Sequence, residues 1–324
     1  MSLKKSKIGV IGVGYLGNYH AQKYAAMDHV DLVGVCDVSE EQAERVATLY
    51  NTTAFTDYTE LIRHVDGVSI VVPTPFHHKV ASDCLDNGID VMLEKPITVT
   101  LEEADDLITR ADSRNLILQV GHLERFNPAI VAMEEYLTSP LLIESQRVHK
   151  FNPRGADVDV VLDLMIHDID IILTIVPSPL KAIQTMGAPI VTKETDVANA
   201  QLTFENGCTA NVTVSRVAHE NVRNMRIFQP GSSITVNYAA KEITVIERGG
   251  GVNDQGFPIE KTKRFCFTDK DALEDELIDF TQNIRTRQTP MVSGRDGRQA
   301  LAVALQIIDQ IKHHINSHKE LLGG

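Results

Sequence analysis

The hexapeptide Gly12-Val13-Gly14-Tyr15-Leu16-Gly17, set directly after the apolar run Lys7–Ile11, restricts the fold of this chain more tightly than any other stretch. Glycines at this spacing permit a tight turn, a close approach of backbone to a pyrophosphate, and close packing of a helix on a strand. The helical stretch read from Asn18 to Met27 offers free N–H groups and a positive dipole end to phosphates. The motif is weak alone. Here a strand precedes it, a helix follows, and an acid, Asp37, closes the second apolar run VDLVGVC twenty residues beyond Gly17. A carboxylate there accepts hydrogen bonds from the adenosine ribose and repels a 2′-phosphate. No Arg or Lys follows it closely, Arg45 being the first, so NAD is expected rather than NADP.

The alternation continues. Ser39-Glu-Glu-Gln42 reads as a capping box opening a helix toward Tyr50, and Asp57-Tyr-Thr-Glu60 as another. Val68–Val72 is a strand with the turn Pro73-Thr74-Pro75 at its carboxyl end, where ligands bind in open α/β sheets. His77 and His78 begin the next helix above the same edge and read as cofactor-side packing or hydrogen-bonding groups. That helix stops at Gly88. The strand Val91–Glu94 runs into Lys95-Pro96, a helix covers about Leu101–Ala111, and Leu116–Val120 is a further strand. Strands and helices in this order imply a doubly wound parallel sheet. Lys95, at its carboxyl edge, can neutralise charge developing on a substrate oxygen. The cofactor-facing set is Gly12, Gly14, Tyr15, Leu16, Gly17, Asp37, Pro73, Thr74, His77, Glu94 and Lys95.

A second chemical centre lies in the apolar run DVDVVLDLMIHDIDIILTIV. On an α-helix Asp163, His167 and Asp170 are spaced i, i+4 and i+7 and share one face. Polar groups in so apolar a helix need partners or a purpose. A structural hydrogen-bond network is the bland reading, a base flanked by carboxylates the functional one. A metal site on these side chains is disfavoured, because the face has no cysteine and no second histidine.

With GVGYLG, Asp37, VPTPFHH, Glu94-Lys95-Pro96 and DLMIHDID in view, the chain resembles the glucose–fructose oxidoreductase / inositol dehydrogenase / MocA (Gfo/Idh/MocA) family. The resemblance runs over essentially the whole length, from His20 to SGRDGRQALAVALQI near the end. It implies a Rossmann domain followed by an α+β domain on a large, open, mostly antiparallel sheet, used in this family to form dimers or tetramers. It also implies Lys95 beside substrate and nicotinamide, with Asp163 and His167 as the acid and histidine of the DxxxH helix. A homodimer or homotetramer acting on a sugar-type small molecule is the matching expectation. The division expected is 1–121 for the dinucleotide domain and 122–324 for the substrate and oligomerisation domain.

The second half agrees with this from its own residues. Asn127-Pro128 is an N-cap followed by proline at N1, opening a helix to about Leu137. Ile143–Phe151 reads as a strand carrying Arg147, His149 and Lys150, and Glu205-Asn206-Gly207 as a hairpin turn among several β-rich runs. The glycines from Gly249 to Gly256 suggest a mobile surface loop. Helices are expected over Ala272–Arg285 and Asp296–His314, with the active site between two tightly joined domains.

Within the family, the segment Gly121-His-Leu-Glu-Arg-Phe-Asn-Pro128 resembles that of bacterial enzymes oxidising the 3-hydroxyl of UDP-N-acetylglucosamine. Candidate substrate contacts are Arg125, Asn127, Arg147, Lys150, Arg154 and Asp163, the basic ones suited to a diphosphate. A free polyol such as inositol, or a simple sugar, is the alternative substrate. Family relatives that cleave glycosides through transient oxidation, or that act as dinucleotide-binding sensors, define the rival readings. A sensor has no need of Lys95, Asp163 and His167 together. The net charge of −13 argues against nucleic acid or an anionic membrane as partner. The chain has no long apolar run or signal core, and its four scattered cysteines read as buried thiols of a cytoplasmic protein.

Overall fold

The computed structural model describes residues 5–153 and 155–321, so Arg154 lies outside the described residues. In chain order the first half comprises β1 (Ser6–Ile11), α1 (Tyr15–Ala26), β2 (Val30–Cys36), α2 (Glu40–Tyr50), β3 (Thr53–Phe55), α3 (Tyr58–Leu61), β4 (Gly67–Ile70), α4 (His77–Asp86), β5 (Asp90–Glu94), α5 (Leu101–Arg114) and β6 (Leu118–Gly121). The second half begins with α6 (Pro128–Met133) and β7 (Leu142–Val148), then a π-helical turn over Val161–Met165 that continues into α7 (Ile166–Ile175). It goes on through β8 (Leu180–Ala188), β9 (Val197–Phe204), β10 (Thr209–Ser215), β11 (Val222–Gln229), β12 (Ser232–Asn237), β13 (Glu242–Val252) and β14 (Pro258–Cys266), and closes with α8 (Ala272–Thr286) and α9 (Gly294–Leu321).

Local signals account for several of these boundaries. Ser39 Oγ accepts from the Gln42 N–H at 3.3 Å, and Thr100 with Glu103 forms a complete capping box at α5. Asn51 and Asn115 end α2 and α5 in the left-handed conformation, which asparagine tolerates better than most residues. Every residue of β1 except Lys7 is buried, as expected of a strand covered on both faces. The strands form a six-stranded parallel sheet in the order β3-β2-β1-β4-β5-β6, the doubly wound order. The three-residue β3 is too short to announce itself by pattern.

The second sheet has eight strands in the order β14-β13-β12-β11-β7-β10-β9-β8. All its pairs are antiparallel except β7 with β10. The hairpin at Gly207, with φ +87°, joins β9 to β10 as the sequence suggests. The glycine run divides: Gly256, with φ +82°, lies in the short turn between β13 and β14, whereas the first three glycines do not form a loop. Gly249–Gly251 continues β13, and a side chain at Gly249 would put Cβ 2.6 Å from the Ile259 carbonyl oxygen of β14. Gly249 thus serves close strand approach. Cys36, Cys84 and Cys208 are buried, whereas Cys266, at the end of the edge strand β14, is exposed, against the expectation of a buried thiol.

The chain folds as two compact units. One runs to Leu123 and takes back Asp271–Leu301; the other comprises Glu124–Lys270 and the chain from Ala302 onward. A single cut near residue 121 misses this return. Its cause is packing: Leu277, Phe280 and Ile284 of α8 are buried in one core cluster with Ile8, Val10, Val35 and Met92.

Candidate active site

In the first unit the glycine loop meets each stereochemical demand in turn. Gly12 has φ +85°, and a Cβ there would lie 2.7 Å from the Val71 carbonyl oxygen. A Cβ on Gly17 would lie 1.9 Å from the Gly12 carbonyl oxygen, so only glycine lets α1 close on the loop. A Cβ on Gly14 meets nothing within 4 Å, which leaves open space where a pyrophosphate is expected to approach. The first turn of α1 has no acidic residue and no side-chain cap, so its N–H groups suit an anion. Asp37 accepts from the Val13 N–H at 2.9 Å and the Ser39 N–H at 3.0 Å, while the Gln42 side-chain amide donates to the Val13 carbonyl. Both backbone polar groups of Val13 are thereby held, and Gln42 is a contributor that the motif alone did not reveal. Tyr15 is exposed and meets Tyr19 edge-on at 5.3 Å, and Leu16 is half-buried beside it. These residues fit a dinucleotide.

At the carboxyl end of the same sheet, β5 delivers Glu94 and then Lys95, which is joined to Pro96 by a cis peptide. Fully buried His20 of α1 places Nε2 3.2 Å from Glu94 Oε1, and Glu94 Oε2 accepts from the Lys95 N–H at 3.2 Å. Burial pushes the Glu94 carboxyl up, but His20 and the Lys95 ammonium outweigh it and hold the group below its usual range. Gly121, its partner on β6, leaves room for that carboxylate, since a Cβ there would stand 3.0 Å from it. Pro73 and Thr74 follow β4, where the Phe76 N–H closes the turn on the Pro73 carbonyl at 2.9 Å.

His77 takes the hydrogen-bonding role read for it. It is buried, with Nδ1 2.9 Å from the Pro96 carbonyl oxygen and Nε2 2.9 Å from that of Val72, and burial lowers its pKa. The ring braces the exit of β4 against the turn that carries Lys95.

In the second unit the central helix does not present one uniform polar face. The π-helical turn over Val161–Met165 winds more slowly than an α-helix, so the phase relating Asp163 to the residues of α7 is shifted. Asp159 starts the turn, its carboxylate accepting from the Val161 N–H at 2.9 Å. Asp163 is half-buried and lines a cavity of about 610 Å³ together with His149, Lys150, Asn152, Asn221 and Arg223. Its carboxylate lies over Gly155, 3.4 Å from where a Cβ would stand. His167 is half-buried on the first turn of α7 and is not among the residues lining that cavity. Asp170 is buried and accepts two hydrogen bonds from Arg125, at 2.7 and 2.9 Å.

The basic candidates separate accordingly. Arg147 is 3% exposed; its Nε donates to Asp168 at 2.8 Å, Nη1 donates to Glu124 at 2.8 Å, and its guanidinium stacks 5.0 Å above the Tyr238 ring. It is an interior ion-pair partner, and so is Arg125, because each faces a carboxylate that burial leaves in need of one. Asn127 caps α6 through the Ala129 N–H at 3.1 Å and donates its amide to Glu124 and to the Tyr238 carbonyl. Lys150 is exposed and reaches the cavity. Asp168, overlooked between His167 and Asp170, is the partner that commits Arg147 to the interior. Arg223, likewise overlooked, is an unremarkable strand residue in sequence and a cavity residue in space.

Comparison with known proteins matches this architecture. Residues 6–122 fit the family model for the Gfo/Idh/MocA oxidoreductase family, NAD-binding Rossmann fold, and residues 135–234 fit the Gfo/Idh/MocA C-terminal domain. UDP-N-acetylglucosamine 3-dehydrogenase from Acidithiobacillus ferrooxidans is 38% identical, over 93% of this chain and 96% of that one. Myo-inositol 2-dehydrogenase from Thermotoga maritima is 25% identical, over 91% and 93%. A solved structure of the Acidithiobacillus enzyme superposes with a TM-score of 0.91 at 37% identity, covering 96% of this chain and 99% of that one. No helix among the described residues is long and apolar enough to cross a membrane. A parallel sheet with a glycine-loop dinucleotide site, a mostly antiparallel second sheet and these two matching family models make this chain an oxidoreductase of the Gfo/Idh/MocA family.

Proposed function

We propose that the protein oxidises a secondary hydroxyl of a nucleotide sugar, of the UDP-N-acetylglucosamine 3-hydroxyl type, with NAD as hydride acceptor. The observation that carries this reading is the cavity of the second unit, where the Asp163 carboxylate shares one space with His149, Lys150 and Arg223. A carboxylate suits sugar hydroxyls, and a cationic surround suits an attached anionic group. The similarity to UDP-N-acetylglucosamine 3-dehydrogenase over nearly the whole chain supports it.

In this mechanism His167 accepts the proton of the reacting hydroxyl, and Lys95 holds the same oxygen and stabilises its partial negative charge. Asp163 binds a neighbouring hydroxyl and orients the sugar. The dinucleotide, when bound, supplies the hydride acceptor. Glu94, held below its usual range by His20 and the Lys95 ammonium, sets a negative charge beside that lysine. NAD is favoured over NADP because a carboxylate at Asp37 would accept from the adenosine ribose and repel a 2′-phosphate, and its neighbour Val38 is an exposed apolar residue. The Arg45 guanidinium, the first cation downstream, donates to Gln42 at 3.3 Å.

The test is NADH formation followed by absorbance, with UDP-N-acetylglucosamine, UDP-glucose, myo-inositol and glucose, each with NAD and with NADP. A rate confined to UDP sugars with NAD is the expected result. A rate with free inositol or glucose and none with UDP sugars would replace the nucleotide-sugar reading by a polyol one.

A further inference from the structure

We propose that Arg223, which the sequence pattern did not single out, joins Lys150 as the anion-binding end of the cavity and takes the diphosphate of the nucleotide sugar, a role that the sequence pattern spread over Arg125, Arg147, Lys150 and Arg154. The assignment rests on the nucleotide-sugar reading above. Arg223 lies directly opposite Arg147 in the β11–β7 register, so both side chains leave the same face of the sheet. Their surroundings differ. Arg147 sits beneath Asp168 and Glu124, which neutralise it inside the protein, whereas Arg223 is exposed at the mouth of the same row and lines the cavity. Among the described residues neither Arg223 nor Lys150 is in an ion pair.

Hydrogen bonds tie together the segments that carry the two cations. β7 ends at Val148, and the chain leaving it is tied back by the His149 N–H donating to the Ser215 carbonyl at 2.9 Å. The Lys150 N–H then donates to the side-chain oxygen of Asn221, at 3.1 Å, immediately before β11 begins. Asn221 thus fixes the segment carrying Lys150 to the strand start carrying Arg223. The planar guanidinium can bind two phosphate oxygens at once, and the lysine adds a point charge. Asp163, in the same cavity, repels phosphate and leaves the sugar hydroxyls as its complement, so the ligand is oriented by charge along the cavity.

The experiment uses the full-length protein with NAD saturating, so that nucleotide binding at the glycine loop is not read. Affinities for UDP and for inorganic diphosphate are measured by thermal shift for the wild type, Arg223→Gln, Lys150→Gln and Asn221→Ala. Arg223→Gln and Lys150→Gln are each expected to weaken UDP and diphosphate about tenfold or more. Ligand-free melting temperature and NAD affinity stay at wild-type values, which excludes misfolding. Asn221→Ala is expected to weaken both ligands less. Wild-type UDP affinity retained in Arg223→Gln and Lys150→Gln overturns this subsite and leaves the nucleotide-sugar reading intact. Failure of the wild type to bind UDP, with turnover of a free polyol, overturns both.

Discussion

The guanidinium of Arg216, just beyond β10, donates to the Gly155 carbonyl at 2.8 Å and to the Val158 carbonyl, and thereby holds the loop beneath Asp163. Arg216 is 2% exposed and has Asp196 at 3.8 Å. Asp196 in turn gathers the N–H groups of Ile190, Val191 and Thr192 at 2.8, 2.6 and 2.8 Å. Burial pushes its carboxyl up, and these donors outweigh burial and bring it down to about 2. Arg216→Met is expected to cost about 3 kcal/mol, since it strips buried carbonyls of a charged donor. Urea denaturation measures this. A loss below about 1 kcal/mol would mean that the loop is held without Arg216.

Arg147 and Asp168 make a second prediction. Removing either partner leaves a buried charge, so Arg147→Met should destabilise by about 3–5 kcal/mol. The double variant Arg147→Met with Asp168→Leu should recover much of that. A double-mutant cycle in chemical denaturation reads the coupling, and strict additivity would show that the pair does not act as a unit.

The glycine loop separates fold from ligand. Gly17→Ala should lower both melting temperature and NAD affinity, because its Cβ meets the Gly12 carbonyl oxygen at 1.9 Å. Gly14→Ala should leave the ligand-free melting temperature near wild type and weaken NAD about tenfold or more, since its methyl enters open space reserved for phosphate. NADH fluorescence titration with thermal unfolding distinguishes the two. Equal NAD affinity in Gly14→Ala and wild type would argue against the proposed pyrophosphate position.

Glu276 of α8 supplies a pH prediction. It is fully buried, neither carboxyl oxygen has a hydrogen-bond partner among the described residues, and burial, with Glu94 and Asp279 nearby, raises its pKa well above the usual range. The folded state therefore keeps this proton more tightly than the unfolded chain does. Its contribution to stability is full below about pH 4.3 and declines as pH rises toward the folded value. The stability gained by Glu276→Gln over wild type should grow from about pH 5 to 9 in thermal unfolding. A pH-independent difference would show that Glu276 does not titrate abnormally.

His167→Asn should reduce turnover by at least about a hundredfold while NAD binds as in the wild type, because the amide cannot accept the hydroxyl proton. Unchanged turnover would remove His167 from the mechanism.

The dinucleotide half was legible because its constraints are local. Three glycines, an acid twenty residues on, and caps such as Ser39 and Thr100 each act on neighbours a few positions away, and the apolar period names the strands. The antiparallel sheet was legible too, through hairpin chemistry at Gly207. What only the tertiary structure decided was which polar side chains find each other across long sequence separations. A helical wheel groups Asp163, His167 and Asp170; the π-turn shifts the phase, and Asp168 and Asp170 pair with Arg147 and Arg125 in the interior. The β7–β11 register sets Arg223 opposite Arg147, and burial of α8 in the first core returns residues 271–301 to the first unit. Strand register and core packing depend on free energy summed over many distant contacts, and residue spacing along the chain does not encode them locally.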